Sequence, residues 1–438
     1  MAISRSDAAH LLRRSGFGAR PADIARLAAL PNWEAAVDAV LDTSRAPAAT
    51  MPPAVGQTME MWELRIELIK FWIERMRTTP CPIVEKMALF FHGHHFPCSW
   101  SKCDEATLAW NQIELFRSFA LGDYHQLTQR VAVDPWMLWY LDNGANKAPS
   151  RINENFGREL LELFTLGRNN YTEADVVAMS RAWTGHNLSA DGLRYQFDAA
   201  AHDNGQKTLF GITKNWDGPA TITEILKGSK AVPASLFFVA KLWRYLVGTE
   251  PSATTTQSLA ATFRASGLSL RSLVRAIFLH PDFRGAAART AVVRSPVDWF
   301  VSVTQALDVP ATASQPQWWI VPMGQDLFRP PNVGGWGSNE AWLSASGWWR
   351  RGECIRWLCY QMVDPSLPYN RFPEIQPDSS PKLVADVTFE AFGIVSPSPA
   401  TRKVVEDWAR SVSGTWHGSS MRYFGMVLVA MSPDFNLG

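Results

Sequence analysis

The chain has 438 residues, of which 47% are apolar and 19% charged, so it can bury a sizeable core as two or three domains or one large lobed one, and global disorder is excluded. Lysine plus arginine number 42 against 41 aspartate plus glutamate, a balance that offers no electrostatic case for nucleic acid or an anionic membrane as the main partner. No apolar run approaches the roughly 18 residues that a membrane span needs. Met1 to His10 lacks the apolar stretch of a secretion signal. The five cysteines are an odd, sparse set that fits a reducing cytoplasm better than a disulfide framework.

The pattern is mainly α. Short helices are expected over 6–14 and 21–30, separated by Gly16-Phe17-Gly18, with Pro21 suited to a first turn. A third runs from Trp33 to Leu41, and Met59 to Arg77 reads as a long amphipathic helix. Pro82 opens the next helix, followed by Asp104 to Ala120 and one or two more between Gln126 and Asn143, where Asp134-Pro135 resembles an N-cap and first-turn proline. Asn153 to Leu166 is helical and stops at Gly167, and Glu173 to Trp183 closes an N-terminal helical core, 1–183.

Residues 184–232 read as a small irregular or β excursion, with a hairpin suggested by Leu193 to Phe197. The C-terminal helical region, 233–438, carries helices at 233–247, 268–279, 296–307, 345–362, 401–412 and 422–431. It also carries a Trp-rich irregular segment at 310–342 and long Pro/Ser-rich loops at 363–400.

Two segments carry candidate chemistry. On a helix turning by about 100° per residue, the apolar side chains of Ile83 to Phe96 point almost all the way round, which marks a buried helix. Glu85 and His92 share one strip of it, and His94 and His95 follow at its end. A buried acid and imidazole need a partner, a shared proton or a metal. In Asn153 to Phe164, Glu159 lies on the flank of the apolar face and Glu162 one turn on, so the two carboxylates can converge, while Arg158 lies toward the polar side.

Glu-x-x-Glu on one helix with Glu and His on another is the ligand stock of carboxylate-bridged metal sites in helical bundles. A structural ion-pair network is the competing reading. His202-Asp203 is open between a third metal arm, an acid–base pair and a turn whose Asp caps the backbone. No Gly-x-Ser-x-Gly, no phosphate loop and no His-Glu-x-x-His occurs, so no nucleotide cofactor is expected.

The motifs together resemble the bacterial family DUF1800, a domain of unknown function. They are Ala9-His10-Leu11-Leu12-Arg13-Arg14-Ser15-Gly16-Phe17-Gly18, Glu85 to His94, Asp134-Pro135 through Asp142-Asn143, Asn153 to Leu163, Ala182 to Gly185, His202-Asp203 with Lys207-Thr208, and Gly324-Gln325 through Phe328-Arg329-Pro330-Pro331 to Gly335-Trp336. The resemblance covers about residues 8–360 and implies a predominantly α-helical fold, with no catalytic roles to carry over. Many relatives look exported, whereas this chain shows no leader, and His95 intervenes between His94 and the aromatic Phe96 where the family pattern has none.

The leading expectation is a cytoplasmic, metal-dependent enzyme, an oxygen-using oxidoreductase acting on an aromatic or apolar small molecule. Its metal ligands are expected to be Glu85, His92, His94, Glu159 and Glu162, with iron ahead of manganese or zinc. Glu159, His202 and Asp203 are the candidate catalytic residues. Arg158, Arg329 and Trp336 are the candidate substrate contacts, with the 318–349 aromatics covering the substrate. The alternatives are a non-catalytic binding or assembly protein whose Trp-rich face docks a glycan or protein, and a magnesium-dependent isoprenoid enzyme. The oligomeric state is not read from the sequence.

Overall fold

The computed structural model describes residues 3–363, 372–415 and 418–437. The fold is mainly α, as the apolar periodicity predicts, and the first helix, Arg5–Ser15, starts where Ser4 accepts the Asp7 N–H. Pro21–Ala28, Trp33–Val40 and the long Met61–Thr78 follow at the expected places. Pro82–Phe90 opens on its proline, and Ile83 through Phe90 are all buried. It packs against Arg5–Ser15, Met61–Thr78 and Ala106–Ser118. Asp134 caps Pro135–Tyr140 by accepting the Met137 N–H.

Both motif helices end in one wide π turn. Pro82–Phe90 continues as Phe91–His95, closed by the Phe96 N–H on the Phe91 carbonyl at 2.8 Å. Asn155–Glu159 continues as Leu160–Thr165, closed by the Leu166 N–H on the Leu161 carbonyl at 2.9 Å. Such turns shift every following side chain off the 3.6-residue register. Gly167 then takes φ +75°, as a residue just past a helix end does.

Residues 184–232 hold two antiparallel hairpins, His186–Leu188 with Tyr195–Phe197 and Lys207–Leu209 with Ile212–Lys214. They also hold an unexpected helix, Gly218–Lys227, capped by Asp217. Ala253–Ala265 is a second unexpected helix. Its Thr- and Ser-rich sequence is a weak helix former, but the Ser252 cap and packing against Ala231–Val247 and Leu270–Leu279 hold it. A third, Pro381–Ala391, stands where long loops were expected, and residues 364–371 of that expectation lie outside the described residues.

Ala231–Val247, Pro296–Leu307 and Ala345–Val363 complete the frame, with Ala345–Val363 against Gly418–Ala430. One apolar cluster runs from Ile3 to Phe435 and joins all three sequence segments. Long-range hydrogen bonds tie the N-terminal helices into it, including Trp33 Nε1–H to the Phe278 carbonyl at 3.0 Å. Among the described residues no helix is long and apolar enough to cross a membrane.

Candidate functional site

Glu85 is fully buried, and both its oxygens are taken. Arg117 Nε donates to Oε1 at 2.7 Å and Trp72 Nε1 to Oε2 at 3.0 Å. Arg117 also pairs with Glu114, which pairs with Arg75, so two guanidinium groups meet two carboxylates. His92 sits within 6.3 Å, ring to ring, of Trp72, Trp136, Phe328 and Trp336. The Phe328 N–H donates to His92 Nε2 at 3.1 Å, which leaves the proton on Nδ1. Burial pushes the His92 pKa down to about 3. His95 Nε2 donates to Tyr124 Oη at 2.8 Å, because the Tyr124 hydroxyl hydrogen goes to the Phe164 carbonyl at 3.0 Å.

Trp336 closes this turn. Its N–H donates to the Gly93 carbonyl at 2.9 Å, and a Cβ on Gly93 would lie 2.5 Å from its ring. Gly335 has φ +83° and also abuts the Gly93 carbonyl, so both partners in this approach must be glycine. Trp336 is thus buried as a clamp on the histidine turn, while Arg329 is exposed nearby.

The second motif faces elsewhere. Glu162 accepts from Arg168 Nε at 2.6 Å and the Tyr171 hydroxyl at 2.8 Å, near the surface. Arg168 and Tyr171 hold the Glu162 carboxyl below its usual range. Arg158 pairs bidentately with Glu173 at 2.8 Å. Glu159 is half-buried, with no hydrogen-bond partner among the described residues, and burial followed by Glu162 raises its pKa. His202 Nδ1 donates to the Thr184 carbonyl at 2.8 Å, and Asp203 accepts from Arg181 Nε at 2.7 Å and the Gly205 N–H at 2.8 Å. The bonds of this pair all lie within its own loop and to the helix end at Arg181 and Thr184.

Among the described residues no three His, Cys, Asp or Glu side chains gather as a metal would require. No three of Glu85, His92, His94, Glu159 and Glu162 are therefore brought together. Arg117 and Trp72 occupy the first carboxylate, and the π turn carries Glu162 toward Arg168 and Tyr171.

The motif helix does reach a cavity, through the residue beside Glu85. A space of about 50 Å³ is lined by Arg14, Phe17, Lys86, His94, Tyr245, Arg294, Asp298 and Gln325, with Arg13 and the exposed Arg244 also on its wall. Lys86 Nζ pairs with Asp298 Oδ1 at 2.5 Å and lies over the rings of Phe17 and Tyr245. Arg294 donates to the Phe17 carbonyl and the Ser302 hydroxyl, each at 2.8 Å. Behind it, Arg351 donates to Asn436 at 2.6 Å and to the Arg294 carbonyl at 2.7 Å, and Arg14 donates to the Ala288 carbonyl.

Arg14, Lys86, Arg294 and Arg351 are all buried, and one buried carboxylate, Asp298, faces them. The Nε–H groups of Arg13, Arg14, Arg294 and Arg351 have no partner. Burial, then the neighbouring guanidinium groups, pushes the pKa of Arg14 and of Arg294 down to about 9, still charged at neutral pH. His94 is held at about 4 by burial, then by Lys241, so it faces the cavity as a neutral imidazole.

Sequence reasoning missed Arg14, Arg294, Arg351 and Lys86. Two signals were readable. Arg14 falls one turn after Leu11 on the apolar face of its helix, and Lys86 stands in the same all-round apolar helix that singled out Glu85.

Fold and site define a mainly α protein that encloses a small cavity with a cationic wall. The chain belongs to the DUF1800 family, described as protein of unknown function, whose model matches residues 10–437. Three of the segments that carry the resemblance meet at this cavity, through Arg13, Arg14 and Phe17, through Lys86 and His94, and through Gln325. Neither the curated proteins nor the solved structures yield a match.

Proposed function

We infer that the protein is an enzyme acting on a small molecule that carries a phosphate, sulfate or carboxylate, which seats in the cavity. The observation that carries this reading is the charge imbalance of three buried cations, Arg14, Lys86 and Arg294, around one carboxylate, Asp298, in the cavity wall, with Arg351 buried behind them. An uncompensated buried charge costs several kcal/mol, and a bound oxyanion lowers that cost by supplying the missing negative charge. The cavity has room for a few water-sized groups, the scale of one oxyanion group, with the rest of the substrate extending toward exposed Arg244. His94 on the same wall stays a neutral imidazole, a polar group able to meet the rest of the bound molecule.

The test is thermal unfolding with sodium phosphate, sulfate or acetate against sodium chloride at matched ionic strength. Stabilisation by at least one oxyanion, lost in Arg14→Met, supports the reading. Equal melting in all four salts overturns it.

A second reading, the oxygen-using metal enzyme, is favoured by one observation, the unpartnered half-buried Glu159 beside Glu162. Elemental analysis of protein purified without added metal or chelator tests it. Near-stoichiometric iron, manganese or zinc that disappears in Glu159→Ala supports it, and protein that neither contains nor takes up metal removes it.

A further inference from the structure

The tryptophans of this region divide between core and surface. Trp336 and Trp342 are buried, but Trp318 is 69% exposed, and it opens onto a surface cleft of about 780 Å³ between the turn Gln317–Ile320 and the helix Ala345–Val363. That volume lies within the range of small-molecule clefts. Tyr360, 62% exposed, stands on the helix side. Trp319 and Trp357 form the floor, their centroids 5.7 Å apart and their planes inclined at 43°. Trp319 Nε1 is buried there without a partner. Large aromatic surface left in contact with water is unfavourable, and a cluster of it marks a contact site.

We propose that this cleft binds a neutral oligosaccharide, its aromatic walls stacking on sugar rings and its flanking polar groups reaching the hydroxyls. A pyranose has a C–H face and a hydroxyl edge, and the lining offers both complements. The inclined aromatic rings present π faces. Arg350 and Glu353, paired at 2.9 Å one helical turn apart, present donors and acceptors beside them. The charge pattern selects among occupants. Glu353 offsets Arg350 and leaves Arg356 as the surplus cation in the lining, too little for a phosphate backbone. Among the described residues the lining contains no aliphatic side chain, which disfavours a lipid chain. About two or three pyranose rings fit a cleft of this size. The site is independent of the oxyanion cavity and shares no lining residue with it.

The test uses the full chain. Isothermal titration and tryptophan fluorescence are run with cellohexaose, chitohexaose, xylohexaose, maltohexaose and laminarihexaose. Binding of at least one, weakened tenfold or more in Trp318→Ala and in Tyr360→Ala with unchanged circular dichroism, is the expected result. Both substitutions remove exposed side chains, so the variants retain the fold. No response to any of the five overturns the proposal, as does a saccharide that binds both variants as tightly as the parent. A dimer in sedimentation that Trp318→Ala dissociates also overturns it, because the cleft would then be an interface between copies.

Discussion

Glu85 and Lys86 are neighbours on one buried helix, and their surroundings differ in kind. On the Glu85 side, two carboxylates meet two arginines, the oxygens of Glu85 are bonded, and the charges balance. On the Lys86 side, four cations share one carboxylate and four guanidinium Nε–H groups lack partners. The contrast is one of charge balance. A balanced buried network holds the fold and needs nothing further, whereas an unbalanced one persists at a cost that a ligand of the opposite sign relieves.

Breaking the balanced side should have the largest effect. Glu85→Gln leaves Arg117 without its buried counter-charge, and a loss of about 3–5 kcal/mol in chemical denaturation is expected. A loss below about 1 kcal/mol would mean that Glu114 alone compensates Arg117. Asp298→Asn should cost a similar or smaller amount, since it removes the one anion from the cationic side. The sharper expectation is recovery, because phosphate or sulfate should restore part of this loss and none of the loss in Glu85→Gln.

The parent protein itself should gain stability from the right oxyanion. The gain is about 2.7 kcal/mol at a hundredfold excess over Kd, read as a rise in melting temperature that chloride does not give.

A more gradual effect comes from pH. Burial holds His10 and His92 at about 3 and His94 and His186 at about 4 in the folded protein, against about 6.5 when unfolded. The folded state therefore binds fewer protons than the unfolded one between these values. Stability should fall as pH drops from about 6.5 toward 4, by about 1.4 kcal/mol per pH unit for each histidine within its window. Denaturation midpoints at pH 7 and pH 5 check this, and equal midpoints would show that these histidines are not buried as neutral rings. Least of all, Trp318→Ala should change stability by no more than about 0.5 kcal/mol, because the side chain is exposed.

Much of the fold was legible because it rests on local signals. Proline first turns at Pro82, Pro135 and Pro296, the Asp134 cap and the all-round apolar run after Pro82 each appear where expected. The helices that escaped notice, Gly218–Lys227, Ala253–Ala265 and Pro381–Ala391, lie in Thr-, Ser- or Pro-rich stretches, where side-chain caps and packing outweigh weak propensity. The site was legible only in part. The sequence drew attention to the helix that reaches the cavity and to His94, but the π turns at Phe91–His95 and Leu160–Thr165, which a 3.6-residue period does not announce, redirect the side chains that follow.

By itself, then, the sequence determined a mainly helical chain, its family, and the burial of charged groups on the helix after Pro82, because periodicity and caps act over a few residues. Which charges meet was decided by the tertiary structure alone. Arg14 and Arg351 lie on helices and Arg294 on the segment before Pro296–Leu307, all distant in the chain, and it is close packing of these elements that sets Lys86 among them while turning Glu85 toward Arg117. A Coulomb interaction depends on distance through space, and distance through space is what a linear sequence does not state.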